Sequence, residues 1–300
     1  MHEDYFFGVS EEGFHRIFFT EWEPAGNGLG TVIAVHGLTR NGRDFDFLAQ
    51  YLAAHHYHVY CPDIVGRGES DWLKDPQHYT YEQYVADMNA MIARTGVHDL
   101  AWIGTSMGGI IGMVLASMNN TPIRCLVLND IGAQIPATGL ARLASYPSQD
   151  PEFKSLSEAV QYFKKIYSTF GMLSEEEWLH LTEHSVTEVS PRKWVTKLDH
   201  RVKLASAKSK IAWSSIMHPF KALEGIMFDV DLWSIWRKIK CPVLIIHGKD
   251  SDMLTTGIIN KMHAIHPHTE VLEVEQVGHA PPLFDQHQHE VIAHWLAEHY

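Results

Sequence analysis

Cysteine is scarce in this sequence, with three residues among 300. Cys61 and Cys241 each precede a proline, and Cys125 lies in an apolar run. This pattern predicts buried, unpaired thiols rather than a disulfide framework, and it favours a reducing, cytoplasmic compartment. A cysteine nucleophile is disfavoured as well, because none of the three stands in a tight strand-to-helix turn or at a helix start.

Positive charge is also in short supply. The chain has 24 Lys and Arg against 36 Asp and Glu, a formal net charge of −12. This balance argues against nucleic acid and anionic membranes as partners, since both require a basic face. No uncharged apolar stretch approaches the roughly 18 residues of a spanning helix, and residues 1–10 lack a signal-peptide pattern. We therefore expect a soluble protein that is not exported.

Two kinds of pattern alternate along most of the chain. Apolar runs predict strands at 31–35, 58–61, 99–104, 124–129, 242–247 and 270–274, and residues 14–22 read as an edge strand. Apolar residues at helical spacing predict helices at 44–54, 81–95, 108–118, 257–264 and 286–299. Repeated strand–helix units predict an α/β fold, with a mostly parallel sheet and helices on both of its faces.

The alternation stops in the middle of the chain. Residues 133–237 show no apolar strand and many aromatics at helical spacing, which predicts a helical insertion between two parts of one core, 1–132 and 238–300. Ser174 and Glu177 match a capping box that opens one of these helices. The aromatics of 156–170 either pack the insertion onto the sheet or line a substrate pocket.

A nucleophile turn is predicted between the strand at 99–104 and the helix after it. Residues 104–108 read GTSMG, a G-x-S-x-G pattern. Small residues on either side of the serine permit a turn so tight that the serine adopts a positive φ and exposes Oγ at the edge of the sheet. Ser106 is therefore the predicted nucleophile.

A serine hydroxyl needs a base to take its proton. The chain has 21 histidines, so their number alone indicates nothing. His279, however, directly follows Gly278 after the last predicted strand, at the sheet edge where the loops of a parallel sheet meet. No H-E-x-x-H pattern points to metal-dependent hydrolysis, and we expect neither a metal nor a cofactor.

Two carboxylates compete to orient this histidine. Asp130 ends the strand after the nucleophile helix, at the same predicted sheet edge. Asp252 lies in the loop after the strand at 242–247, but Ser251, not an aspartate, stands three residues after Gly248. We favour Asp130 and keep Asp252 as the competing acid, because a loop-capping aspartate is the ordinary alternative for either one.

The oxyanion that forms during acyl transfer needs N–H donors. One is predicted from Met107, directly after the nucleophile, and one from Leu38 in the loop after the first apolar strand. Gly37 lets that loop turn closely over the sheet edge. We interpret His36 as a structural histidine that bonds the loop backbone.

These motifs resemble the α/β-hydrolase superfamily. The resemblance includes the PDIVGRGES sequence at 62–70 and covers about 31–300, excluding the insertion. It implies that the inserted helices at 133–237 form a cap over the active site. The placement of Asp130 is similar to that in a subset of small esterases, whereas Asp252 matches the commoner arrangement imperfectly.

The predicted function is hydrolysis of carboxylic esters of small molecules by a serine nucleophile, with an acyl-enzyme on Ser106. Thioesterase, lactonase, carbon–carbon bond hydrolase and cofactor-free perhydrolase activities remain open, because the pocket decides among them. A ligand-binding member without catalysis is an alternative of another class. The sequence leaves the oligomeric state and the physiological substrate open.

Overall fold

We describe a computed structural model of the chain that covers residues 1–139, 151–202 and 229–300. The strands of these residues are, in chain order, β1 (His2–Ser10), β2 (Gly13–Trp22), β3 (Gly30–Val35), β4 (Tyr57–Pro62), β5 (Leu100–Thr105), β6 (Ile123–Asn129), β7 (Gln134–Ile135), β8 (Glu152–Phe153), β9 (Val186–Ser190), β10 (Lys193–Thr196), β11 (Val230–Asp231), β12 (Val243–Gly248) and β13 (Thr269–Val274). The helices are α1 (Asp46–Ala54), α2 (Tyr81–Thr95), α3 (Met107–Ala116), α4 (Leu156–Ile166), α5 (Glu175–Glu183), α6 (Trp233–Trp236), α7 (Thr256–Ile265) and α8 (Gln286–His299).

One eight-stranded sheet organises the core, in the order β1-β2-β4-β3-β5-β6-β12-β13. The β1–β2 and β2–β4 pairs are antiparallel, and every later pair is parallel. The carboxyl ends of β3, β5, β6, β12 and β13 therefore meet at one edge. Loops that leave those strands are brought together there, as is usual for ligand sites in parallel sheets.

Helices cover both faces of the sheet, because its central strands are apolar on both sides. Residues 32–35 of β3 and 101–103 of β5 are fully buried. Apolar residues of α1 and α8 pack on one face, and those of α2, α3 and α7 pack on the other. The predicted α/β class with a mostly parallel sheet is confirmed.

Each strand and helix predicted outside the insertion is present, with bounds that differ by at most two residues. The prediction of an edge strand at 14–22 was wrong in one respect. β2 lies inside the sheet, and the edge strand is β1, which pairs with it along its whole length. Residues 1–10 mix exposed aromatics with charged side chains, so β1 shows no strong apolar pattern.

The insertion is only partly helical in the residues that the structure describes. Helices α4 and α5 share a small apolar core, and Ser174 and Glu177 form the predicted capping box at the start of α5. Strands β8, β10 and β9 form a three-stranded antiparallel sheet, which corrects the expectation of helices alone. The signal was missed because β9 is exposed after its first residue and has no apolar run.

A short ribbon of β7 and β11 pairs the two ends of the insertion. Because β7 and β11 are paired, the chain leaves the core at the start of the insertion and returns to it at nearly the same place. The predicted limits of a cap, 133–237, stay a prediction, and part of that segment lies outside the described residues. Within the described ranges, no helix combines the length and the apolar character needed to cross a membrane.

Candidate active site

Ser106 occupies a strained turn between β5 and α3. Its φ of 49° lies in the left-handed region, as predicted for the nucleophile of a G-x-S-x-G turn. A Cβ added to Gly108 would lie 2.0 Å from the carbonyl oxygen of Val35, so α3 starts directly against the end of β3. Glycine at position 108 is what permits this close approach.

His279 reaches Ser106 from the loop that follows β13. Its Nε2 lies 2.9 Å from the Ser106 Oγ, and its Nδ1 lies 2.7 Å from the Asp130 Oδ2. Asp130 is fully buried and follows β6, with a φ of 53°. Three side chains from three different loops thus form one continuous line of hydrogen bonds.

The carboxylate of Asp130 is held by more than the histidine. Its Oδ1 accepts the Gly248 N–H at 3.0 Å, and its Oδ2 accepts the Ser251 hydroxyl at 2.5 Å. Ser251 in turn accepts the N–H groups of Met253 and Leu254. Backbone and side-chain groups of the loop after β12 therefore hold the Asp130 carboxylate in place.

The two competing aspartates are placed differently. Both ring nitrogens of His279 have partners other than Asp252, with Nδ1 bonded to Asp130 and Nε2 bonded to Ser106. Asp252 is half-buried in the loop after β12, next to Ser251. Ser251, three residues after Gly248, is the side chain of this loop that contacts Asp130. The position three residues after Gly248 thus holds a serine that donates to Asp130, which follows the neighbouring strand β6.

The two predicted oxyanion donors lie beside the serine. A Cβ added to Gly37 would lie 3.8 Å from the Ser106 Cβ, so the loop that holds Leu38 lies against Ser106. Met107 is the first residue of α3, whose N–H has no partner within the helix. Among the hydrogen bonds of the described residues, none uses the N–H of Leu38. Both N–H groups are thus available to a ligand oxygen.

His36 is a structural histidine, as the sequence suggested. Its Nδ1 donates to the Gly37 carbonyl oxygen at 2.7 Å, and its Nε2 accepts the Ile64 N–H at 2.9 Å. Complete burial lowers the pKa of His36 to about 3. The ring is therefore neutral at physiological pH and ties the Leu38 loop to the loop after β4.

The insertion contacts both loops of the site, which the sequence did not reveal. The hydroxyls of Tyr167 and Thr39 lie 3.0 Å apart. The carbonyl oxygen of Thr169 accepts the Gly278 N–H at 2.8 Å, and its hydroxyl donates to the His279 carbonyl oxygen at 3.1 Å. Of the aromatics at 156–170, Phe163 and Tyr167 pack in the small apolar core of the insertion rather than onto the sheet, and they also line a cavity beside Thr39.

One group of side chains in the described residues has the spacing of a metal site. Ligand atoms of Asp46, His180 and His184 lie within 4.8 Å of one another. The Arg43 guanidinium, however, already holds the Asp46 carboxylate, with Nε and Oδ2 2.7 Å apart. Its positive charge opposes a cation at the same oxygen, and we assign no metal to this group.

Known proteins resemble this chain over nearly its whole length. The chain is 36% identical over 283 residues to a 3-hydroxybutyrate-oligomer hydrolase of Cupriavidus necator, which covers 93% of this chain and 92% of that one. A crystal structure of a Rickettsia typhi protein superposes with a TM-score of 0.87 at 33% identity, covering 99% of both chains. An α/β hydrolase of Novosphingobium aromaticivorans gives a TM-score of 0.81 at 30% identity, covering 99% and 98%.

A family of proteins with the α/β hydrolase fold matches residues 30–286, which spans both parts of the core and the insertion. The matched region contains the strained turn of Ser106, the loop of His279 and Asp130 after β6. The chain is therefore an enzyme of the α/β-hydrolase family.

Proposed function

We propose that this enzyme is a serine esterase that hydrolyses carboxylic esters of small molecules through an acyl-enzyme on Ser106. The observation that carries the proposal is the unbroken line from Ser106 Oγ to His279 to Asp130, with contacts of 2.9 Å and 2.7 Å. A base within hydrogen-bond reach of the nucleophile, itself oriented by a buried carboxylate, is the arrangement that serine acyl transfer requires.

In the first half-reaction, the Ser106 Oγ attacks the ester carbonyl carbon while His279 Nε2 takes the hydroxyl proton. The carbonyl electron pair moves to oxygen, and the N–H groups of Leu38 and Met107 stabilise the resulting oxyanion. As the intermediate collapses, the bond to the leaving alcohol breaks and His279 returns the proton to that alcohol. Water then attacks the acyl-enzyme by the same route and releases the acid.

Short oligoesters of 3-hydroxy acids are the substrate class that we propose. The support is the 36% identity with the Cupriavidus necator 3-hydroxybutyrate-oligomer hydrolase, which extends over the insertion as well as the core. Solved structures named for a thioesterase domain and for an acetamidomethylene-succinate hydrolase are only 19% and 17% identical. They share the fold, and they carry no argument on substrate.

The nucleophile is tested by Ser106→Ala, with Ser10→Ala as the matched control, since the half-buried Ser10 lies at the end of β1 and outside the candidate site. Removal of a triad serine costs several orders of magnitude, so we expect Ser106→Ala to keep less than about a hundredth of the wild-type kcat. A fluorophosphonate probe should modify the wild type and the Ser10 variant on Ser106, identified by peptide mass spectrometry. Labelling of another residue, or retained turnover in Ser106→Ala, contradicts the proposed nucleophile.

The substrate class is tested by comparing initial rates on 3-hydroxybutyrate dimer and trimer, p-nitrophenyl butyrate and butyryl thioester. We expect the highest kcat/KM on the oligomers, because the enzyme would use contacts beyond the scissile ester. A thioester preference would retain the mechanism and overturn the proposed substrate class.

A further inference from the structure

Arg67 carries a buried charge that the proposed mechanism has not yet used. Its side chain is fully buried, at 0% exposure. In the described part of the chain, its guanidinium nitrogens contact two carbonyl oxygens, one hydroxyl and one sulfur, and no carboxylate is among these contacts. Transfer of a cation from water to the protein interior without an ionic partner costs free energy. A buried, unpaired arginine is therefore a candidate for a functional role.

The groups in direct contact with this guanidinium are neutral. Nη1 donates to the Val65 carbonyl oxygen at 2.7 Å and to the Tyr84 hydroxyl at 3.0 Å. The Tyr84 ring also lies under the guanidinium carbon, with its centroid 4.8 Å away. These partners accept from the guanidinium N–H groups, and none of them places a negative charge in direct contact with it.

The remaining contacts of Arg67 reach the two residues proposed as oxyanion donors. Nε donates to the Leu38 carbonyl oxygen at 3.0 Å, and Nη2 lies 3.5 Å from the Met107 sulfur. Leu38 and Met107 lie on different loops, and the Arg67 guanidinium contacts both. One side chain therefore fixes the two parts of the site that must converge on the same ligand oxygen.

We propose that Arg67 is a positioning residue for the oxyanion hole and that its charge stabilises the tetrahedral oxyanion. This inference rests on the proposed function, because it concerns the intermediate on Ser106. The bound ester is neutral and the intermediate carries a negative charge, so the field of a fixed cation favours the intermediate over the substrate. The low-polarity surroundings of Arg67 strengthen that field compared with water.

The field of Arg67 is already felt within the Leu38 loop. Burial is the main cause of the low pKa of His36, and the positive charge of Arg67 lowers it further. The same charge that disfavours a proton on His36 favours negative charge on a ligand oxygen nearby.

The test compares Arg67→Met, which removes the charge and keeps much of the volume, with Arg67→Lys, which keeps the charge. Phenylboronic acid is the probe, because its adduct with the serine is a tetrahedral anion. For Arg67→Met we expect kcat on p-nitrophenyl butyrate and boronate affinity both to fall about 10- to 100-fold, with KM changed less than about threefold. Arg67→Lys should recover at least about tenfold of each loss.

A purely structural role predicts a different result. It would weaken KM and boronate binding by the same factor, or leave kcat and boronate affinity within about threefold of wild type, and either result overturns the inference. Exposed Arg94→Met is the control for the substitution and should behave as wild type. If Arg67→Met does not fold, Arg67→Gln replaces it as the neutral variant, and equal activity of Arg67→Gln and Arg67→Lys overturns the charge role.

The failure of the proposed function is distinguishable from the failure of this inference. Boronate binding by the wild type must be lost in Ser106→Ala if Ser106 forms the adduct. If the boronate binds equally well to Ser106→Ala, the nucleophile is wrong. If only the Arg67 variants fail to respond, the nucleophile stands and the role of Arg67 is wrong.

Discussion

Replacement of Asp130 by asparagine tests the site more directly than any other single change. We expect Asp130→Asn to lower kcat about 10⁴-fold, the size of the loss when a triad aspartate becomes asparagine in a serine protease. The substitution keeps the shape of the side chain. It therefore separates the charge of the acid from its packing.

The contacts of Asp130 determine which way an asparagine would turn. The carboxylate accepts three donors: the Gly248 N–H, the Ser251 hydroxyl and the His279 Nδ1–H. An amide has one acceptor oxygen. The Gly248 N–H is fixed and cannot become an acceptor, so the asparagine oxygen should face it and the NH₂ group should face His279. Reversing the amide would instead leave a buried donor unsatisfied, at a cost of about 1–3 kcal/mol.

This orientation changes the tautomer of the histidine. With an NH₂ group opposite Nδ1, the ring must accept there and carry its proton on Nε2. Nε2 then points a hydrogen at the Ser106 oxygen and cannot take its proton. The lost stabilisation of the imidazolium adds to this effect, and the two together account for the expected size of the loss.

The assay is kcat from initial rates on p-nitrophenyl butyrate, with Asp252→Asn as the matched control. We expect Asp252→Asn to keep kcat within about threefold of the wild type, because His279 is held by Asp130. Thermal unfolding of both variants checks that the fold is intact. If Asp252→Asn loses activity while Asp130→Asn stays near wild type, the acid lies in the loop after β12 and the assignment of Asp130 is wrong.

Three further results are expected. Because His36 has a pKa of about 3 in the folded protein, the unfolded chain binds a proton there below about pH 6.5 and the folded chain does not. The free energy of unfolding should therefore fall by about 1.4 kcal/mol per pH unit below about pH 6.5 on account of this residue. Urea midpoints at pH 7.5, 5.5 and 4.5 should show this component in the wild type, and the same pH slope in His36→Gln would contradict it. Gly108→Ala should fail to fold or lose several kcal/mol, because its Cβ would meet backbone at 2.0 Å, whereas Gly37→Ala, with neighbours at 3.8 Å, should keep a melting temperature close to that of the wild type. Thr169→Val should lower kcat about 3- to 10-fold with little change in KM, because the Thr169 hydroxyl donates to the His279 carbonyl oxygen at 3.1 Å. Thr169→Ser keeps the hydroxyl and should recover kcat. Equal kcat in the wild type, Thr169→Val and Thr169→Ser would speak against a role for this contact.

Some residues of the candidate site could be predicted from the sequence and others could not. Ser106 and Asp130 directly follow β5 and β6, which are buried apolar strands. His279 comes soon after β13, which shows a weaker apolar pattern but is the last strand predicted. The three loops were therefore placed at one sheet edge from local pattern alone. Ser251, Thr169 and Arg67 carry no local signal of this kind. Ser251 stands three residues after Gly248, where the commoner arrangement of the family has an aspartate, and Arg67 lies within the PDIVGRGES sequence at 62–70.

The errors of sequence analysis have one physical cause. β1 and β9 are largely exposed strands, so they do not need an apolar face and their sequences show little hydrophobic pattern. β1 and β9 pair with their neighbours through backbone hydrogen bonds, and the side chains of β1 and β9 do not specify which strand becomes the neighbour. Buried strands such as β5 must be apolar throughout, which is why their positions could be predicted closely.

The sequence by itself determined the α/β class, the position of the parallel strands and the strained serine turn, because each of these features leaves a pattern within a short stretch of residues. Only the tertiary structure decided which acid meets His279, since Asp130 and Asp252 lie on loops of adjacent strands and both could end at the same sheet edge. It also placed Thr169 of the insertion on the histidine loop, 110 residues away along the chain. Contacts at such separation depend on how whole elements pack, and no local pattern records them.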